Sequence, residues 1–281
     1  MNEIKKIGNL CPLDAHGYII NQADFTYIDN KFREVIELIN ENCLSALPGE
    51  VHSIYLRGSV PRGAEVEGVS DVDVIVVTYS DPENLDLEWT EVATRSIDEK
   101  YSFINGVELG FSSLREVKEY KYCSMIPFIL KTYGVCVYGE NLISELPDYK
   151  PDRSLANEHL FHLPALIDRA RRELEGNEDI EDIEDCCSWI MRIIVRAGAA
   201  LVIVQEGAYT RDLYPAYELF SKHYPEKEKE MRQALWYAIN PLSSARETTE
   251  FLNTFGSWME KEAGKWLETY NKERKVHLPL V

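Results

Sequence analysis

Apolar residues recur along this chain with two different periods, and the change from one to the other divides it. From Asp29 onward, Phe32, Val35, Ile36, Leu38, Ile39, Cys43 and Leu47 recur at helical steps. They predict a helix capped by Asp29 and closed by Pro48-Gly49. Two β-branched runs without a helical period follow, Val51–Leu56 and Val72–Val77. They predict strands on either side of a loop that begins Gly58-Ser59 and ends Ser70-Asp71-Val72-Asp73. The pattern then predicts a helix over about 83–100 after Asp81-Pro82 and a strand at Val107–Phe111 introduced by Asn105-Gly106. A helical stretch over Ser113–Tyr133 and a strand at Val135–Tyr138 complete this half. Residues 1–27 read as an irregular arm.

Strand and helix stop alternating near residue 140. Pro147 and Pro151 mark a boundary there, which places one domain over residues 1–145 and a second over 146–281. The second reads as helical throughout, over about 152–175, 183–206, 211–223, 226–239 and 244–272. Phe251, Phe255, Trp258, Trp266 and Tyr270 fall near one face of the last helix, as a core stripe does. The predicted fold class is therefore α+β: a mixed sheet flanked by helices, then an all-α helical bundle.

Composition adds bounds to this outline. The 281 residues are 45% hydrophobic and 11% aromatic, enough for packed cores. A net charge of −18 argues against a nucleic-acid partner, which wants a basic stripe, and suits a small cationic one. The six cysteines form no C-x-x-C pair and no cluster with histidine, as expected of reduced thiols in a cytoplasmic protein. No signal-peptide pattern opens the chain and no apolar run is long enough for a membrane span. Monomer and dimer stay equally open.

The candidate chemistry sits in the loop between the first two strands. On a strand Asp71 and Asp73 share a face. Two neighbouring carboxylates at the start of a buried strand repel each other and call for a cation. A divalent ion with oxygen ligands answers that need. A Gly-Ser turn, separated from Asp71 by eleven residues, offers backbone N–H groups and a hydroxyl to phosphate. Glu108, on the following strand, can complete the ion's ligands or take a proton from an attacking hydroxyl. Arg62 is either a phosphate contact or a solvent cation. Ser70 orients the strand or touches phosphate. His159 and His162 lack a third ligand and read as a helix-surface pair.

Gly58-Ser59, the spacer, Asp71-x-Asp73 and Glu108 together resemble the signature of the DNA polymerase β superfamily of nucleotidyltransferases, over roughly residues 50–112. Within it, the helical second half and the segments VYGENLISELP and EGAYTRDLYPAYELFSKHYPE are similar to streptomycin/spectinomycin-type aminoglycoside adenylyltransferases. The resemblance implies an N-terminal nucleotidyltransferase domain followed by a helical bundle. It implies two Mg2+ ions held by Asp71, Asp73 and Glu108, with Glu108 as base and acceptor contact, and ATP as co-substrate. Gly58, Ser59, Arg62 and Ser70 would border the nucleotide. From the helical half, Arg211 and a helix arginine, Arg192 or Arg196 (Arg196 in the preferred set), would reach phosphates, and Tyr237 the nucleotide. The run Glu173–Asp185 carries eight carboxylates in thirteen residues. It is a solvated helix start or, on the family pattern, an amine-binding surface through Asp182 and Asp185.

The expected activity is transfer of AMP from ATP to a hydroxyl of a small cationic acceptor such as an aminoglycoside, an antibiotic-resistance chemistry. Transfer to a protein or other acceptor, and nucleotide binding without catalysis, are the alternatives. The last requires Glu108 to lie far from the aspartates.

Overall fold

The computed structural model describes residues 3–68, 70–119 and 121–280. They form two compact units. One spans Ile19–Asp148; the other joins residues 3–18 to 149–280.

The first unit contains α1 (Asn30–Ala46), β1 (Val51–Arg57), β2 (Val72–Thr78), α2 (Trp89–Lys100), β3 (Val107–Ser113), α3 (Leu114–Val117), α4 (Met125–Tyr133) and β4 (Val135–Gly139). Its strands lie in the order β3-β2-β1-β4. β1 runs antiparallel to β2 and β4, whereas β2 and β3 are parallel and α2 makes the crossover between them. The sheet is mixed and helix-flanked, as the pattern predicts.

Alternation along the strands decides what each face holds. Ile54, Leu56, Val72, Val74 and Val76 pack with Phe32, Val35, Ile36 and Ile39 of α1 and Ile97 of α2 into one core, joined by Leu109 and Phe111 of β3. The other face carries Tyr55, fully buried, whose hydroxyl accepts a hydrogen bond from Leu142 N–H at 2.8 Å and donates to the Glu140 carbonyl. The same face carries Arg57, Asp73 and Glu108.

Three boundaries differ from the periodic expectation. The helix expected over 83–100 starts at Trp89, because Pro82–Asn84 is a single 3-10 turn and Leu85 is extended. The stretch Ser113–Tyr133 is two helices: the Ser113 hydroxyl caps α3 by accepting from Glu116 N–H, and a second helix begins only after Ser124. β3 reaches Ser113, two residues beyond the expected end.

The second unit is helical: α5 (Arg153–Leu160), α6 (Leu163–Leu174), α7 (Ile180–Ala200), α8 (Ile203–Glu206), α9 (Leu213–His223), α10 (Glu228–Ile239), α11 (Ala245–Phe251) and α12 (Ser257–Tyr270). The expected helix over 152–175 breaks at Phe161-His162, because Pro164, in the first turn of α6, has no N–H to continue an earlier helix. The last helix is interrupted by a π turn over Leu252–Gly256. α7 is the centre of the bundle, polar over its first turns and buried through Ile183, Ile190, Met191, Ile194 and Val195. Phe251, Phe255 and Trp266 are buried, and Trp258 stacks on Phe255 at 5.6 Å, so the aromatic stripe is core. Residues 3–18 join this unit through backbone bonds. Cys11 N–H donates to the Tyr209 carbonyl at 2.8 Å, and the Thr210 hydroxyl donates to the Asn9 carbonyl at 2.7 Å.

Candidate active site

Strand register assembles the centre of the site. Antiparallel pairing sets Arg57 opposite Asp73, and parallel pairing sets Asp73 opposite Glu108. Three charged residues therefore form one row across β1, β2 and β3. The Arg57 Nη2 lies 3.0 Å from Asp73 Oδ1 and 3.3 Å from Glu108 Oε2. The Asp73 side chain is 18% exposed and that of Glu108 65%, so the row runs from a sheltered to an open end. Burial pushes the Asp73 carboxyl up, to about 7; Arg57 draws it back down, and Glu108 and Asp71 raise it further.

Asp71 stands just ahead of β2, which starts at Val72. The turn before β3 holds it: Asn105 Nδ2 donates to Asp71 Oδ1 at 2.9 Å, and Val72 N–H donates to the Gly106 carbonyl at 2.8 Å. Asp98 adds a further carboxylate nearby. Burial raises its pKa and the charge of Asp71 adds to the shift, while an N–H donated by Val107 opposes it.

Gly58 has a defined steric task. Its φ is +87°, and a Cβ built there would lie 2.2 Å from Asp73 Oδ2. Any side chain would push the aspartate away, so the backbone can pass the carboxylate this closely only as glycine. The residues that follow form a single 3-10 turn, Val60–Arg62. No full helix dipole is aimed at this point. Ser59 opens the turn, its carbonyl accepting from Arg62 and Ala64 N–H, and its hydroxyl caps nothing in it. Arg62 folds back on the loop: Nε donates to the Gly58 carbonyl at 2.9 Å, and the guanidinium lies 5.7 Å from the Tyr133 ring centre. The Ser70 hydroxyl accepts from Val66 N–H at 2.8 Å.

The sheet unit thus gathers Gly58, Asp71, Asp73 and Glu108. The third carboxylate lies on the adjacent strand, in direct register with Asp73, which removes the condition that the non-catalytic reading needed. Among the described residues, no three or more His, Cys, Asp or Glu side chains converge as a metal cage. A guanidinium stands between Asp73 and Glu108, and Asn105 engages Asp71. The donor set still fits a hard divalent ion, since these carboxylate oxygens already hold a cation at contact distance.

The helical unit brings other predicted residues together. Arg196 Nε donates to the Arg211 carbonyl at 3.1 Å, whereas Arg192 is exposed one turn earlier. Beside the two arginines, His159 Nε2 meets the Tyr209 hydroxyl at 2.8 Å. Burial and the charges of Arg211 and Arg196 push the His159 pKa down to about 3, and burial pushes Tyr209 up. His159 and His162 are therefore not a surface pair: His162 is exposed, but His159 is a half-buried neutral partner of Tyr209. Tyr237 engages its own helix, its hydroxyl accepting from Gln233 Nε2 at 2.6 Å and its ring edge-on to Phe251. Asp182 and Asp185 are exposed on the first turns of α7, where Asp179 caps the helix by accepting from Glu181 and Asp182 N–H. Trp189 is half-buried beneath the Arg169 guanidinium.

Sequence reasoning missed Arg57 and Asn105. The alternation Ser53, Tyr55, Arg57 already placed the arginine on one face of β1. Which face it shares with Asp73 depends on pairing between segments, and no local pattern records that.

Residues 36–137 match the nucleotidyltransferase domain family. The sheet unit therefore carries a nucleotidyltransferase domain. No curated protein sequence matches the chain. Among solved structures, it is similar to spectinomycin adenyltransferase AAD(9) from Enterococcus faecialis, determined with ATP and spectinomycin. The TM-score is 0.47 and the identity 15%, over 82% of this chain and 98% of that one. No helix among the described residues is long and apolar enough to cross a membrane.

Proposed function

We propose that the chain transfers AMP from ATP to a hydroxyl of a small cationic acceptor, in the manner of an aminoglycoside adenylyltransferase. The observation that carries this reading is the row Arg57–Asp73–Glu108, with Gly58 pressed against Asp73 at its sheltered end. An acceptor oxygen forms a bond to the α-phosphorus, the bond from that phosphorus to the β-phosphate oxygen breaks, and pyrophosphate leaves. The proton of the acceptor hydroxyl goes to Glu108, whose exposed carboxylate suits a group that must meet an incoming substrate. Asp71 and Asp73, with Glu108, are the ligands for Mg2+, which supplies charge neutralisation at phosphate oxygens when bound. Ser59, at the mouth of the tight turn, is the candidate hydroxyl contact to phosphate.

In the helical unit, Arg196 and Arg211 are the proposed cations for the nucleotide, and exposed Asp182 and Asp185 the proposed anions for acceptor amines. The acidic balance of the chain supports a cationic acceptor and disfavours a nucleic-acid one. Incubation with α-labelled ATP, Mg2+ and a panel of aminoglycosides, read by mass spectrometry, tests the reading. A product heavier by one adenylyl group supports it; label found only on protein would refute the acceptor class.

A further inference from the structure

Arg57 has no part in the transfer step as written, yet it occupies the middle of the site. Its Nη2 contacts one oxygen of Asp73 and one of Glu108, and its side chain is only 19% exposed. On its other side Asp73 Oδ2 lies so close to Gly58 that a Cβ there would fall 2.2 Å from it. The guanidinium is thus a cation on a tether, held in backbone register against oxygens that a divalent ion would use. Its charge cannot be lost by deprotonation near neutral pH. A second cation approaching the same oxygens meets repulsion until something anionic draws the first away.

We propose that Arg57 is a positioning residue that makes metal binding wait for the nucleotide. Without nucleotide it holds Asp73 and Glu108 together and resists a lone divalent ion. A polyphosphate supplies the negative charge that receives the guanidinium and opens the carboxylates to the metal. The inference rests on the reading of Asp73 and Glu108 as metal ligands. A purely structural arginine would behave differently: replacing it would weaken folding and leave metal affinity unchanged or poorer.

Equilibrium dialysis of Mn2+ against the full chain, without nucleotide, reads the difference. Arg57→Gln is expected to bind Mn2+ about tenfold or more tightly than the parent. Arg57→Lys, which keeps the charge, is expected to stay within about threefold of the parent. Equal or weaker Mn2+ binding by Arg57→Gln overturns the proposal. Should that variant not fold, the parent chain decides. Its Mn2+ affinity must rise by about tenfold or more when α,β-methylene ATP is added, after correction for binding to the analogue alone; an unchanged affinity overturns it. Asp73→Asn separates the two readings. If it leaves Mn2+ binding in the presence of the analogue untouched, the metal assignment itself fails. If it abolishes that binding while Arg57→Gln leaves nucleotide-free affinity unchanged, only the role of Arg57 fails.

Discussion

The two units of this chain handle buried charge in opposite ways. In the sheet unit, carboxylates outnumber the cation that faces them, and strand register fixes every position: Asp73 and Glu108 share one guanidinium, with Asp71 and Asp98 close by. In the helical unit, two guanidinium groups border a histidine held neutral and a tyrosine held protonated. The first arrangement is short of positive charge and the second is rich in it. The contrast also separates rigidity from adaptability. A row built on three strands keeps its backbone register while its side chains, Arg57 among them, can still change rotamer, whereas the groups of the helical unit come from separate helices and a turn.

Replacing members of the row should produce the largest effects. Asp73→Asn is expected to fold, as judged by circular dichroism, and to lose adenylyl transfer by ~10³-fold or more. Full activity in that variant would sink the metal assignment. Glu108→Gln keeps the shape of an exposed side chain and removes the proposed base, so kcat should fall by about 10²- to 10⁴-fold at unchanged thermal stability. An unchanged kcat would move the proton transfer elsewhere. Gly58→Ala tests the close approach behind the row. It forces a Cβ into the Asp73 carboxylate at a positive φ, and should cost about 1–2 kcal/mol of stability for the backbone alone, with further loss of activity. Unfolding in denaturant measures the first and an initial-rate assay the second.

The smallest expected effect belongs to the helical unit. His159 is held near 3 when folded and titrates near its ordinary 6.5 when unfolded. Between those values the unfolded chain binds the extra proton, so stability is complete above 6.5 and falls with pH below it. The slope is about 1.4 kcal/mol per pH unit well below the upper value. Unfolding curves at pH 7.5 and 5.5 should show a loss in the parent that is smaller in His159→Gln. Parallel loss in both would place His159 in a solvated, titrating environment.

Much of this architecture is legible in the order of residues, and the failures have physical causes. Strand positions follow from β-branched runs, and Glu108 follows from Asp73 because one helix separates two parallel neighbours. Arg57 did not follow. An arginine at a strand end usually faces solvent, and only antiparallel pairing with a segment across a loop turns it toward Asp73. The helix breaks at Phe161-His162 and before Ser124 were hidden for a related reason: the apolar period continues through both, while caps and a proline end the hydrogen-bond ladder. In the helical half, the family resemblance suggested Arg196 and Arg211 but not their neighbours His159 and Tyr209, which reach them from α5 and from the turn before α9.

The helical unit is discontinuous along the chain, and this has a consequence for its assembly. Asn9 and Cys11 find their partners near Tyr209–Asp212, about two hundred residues later. A chain emerging from the ribosome makes this arm before the sheet unit, yet its partners at Tyr209–Asp212 follow only after α8. The sheet unit can fold in the interval, because all its strands precede residue 148. The closure that joins arm to bundle is then bridged by an already compact insert, not by a floppy loop, which lowers the entropy lost in bringing the ends together. The order of synthesis thus lets the sheet unit, an insert in the helical unit's sequence, fold before that unit closes.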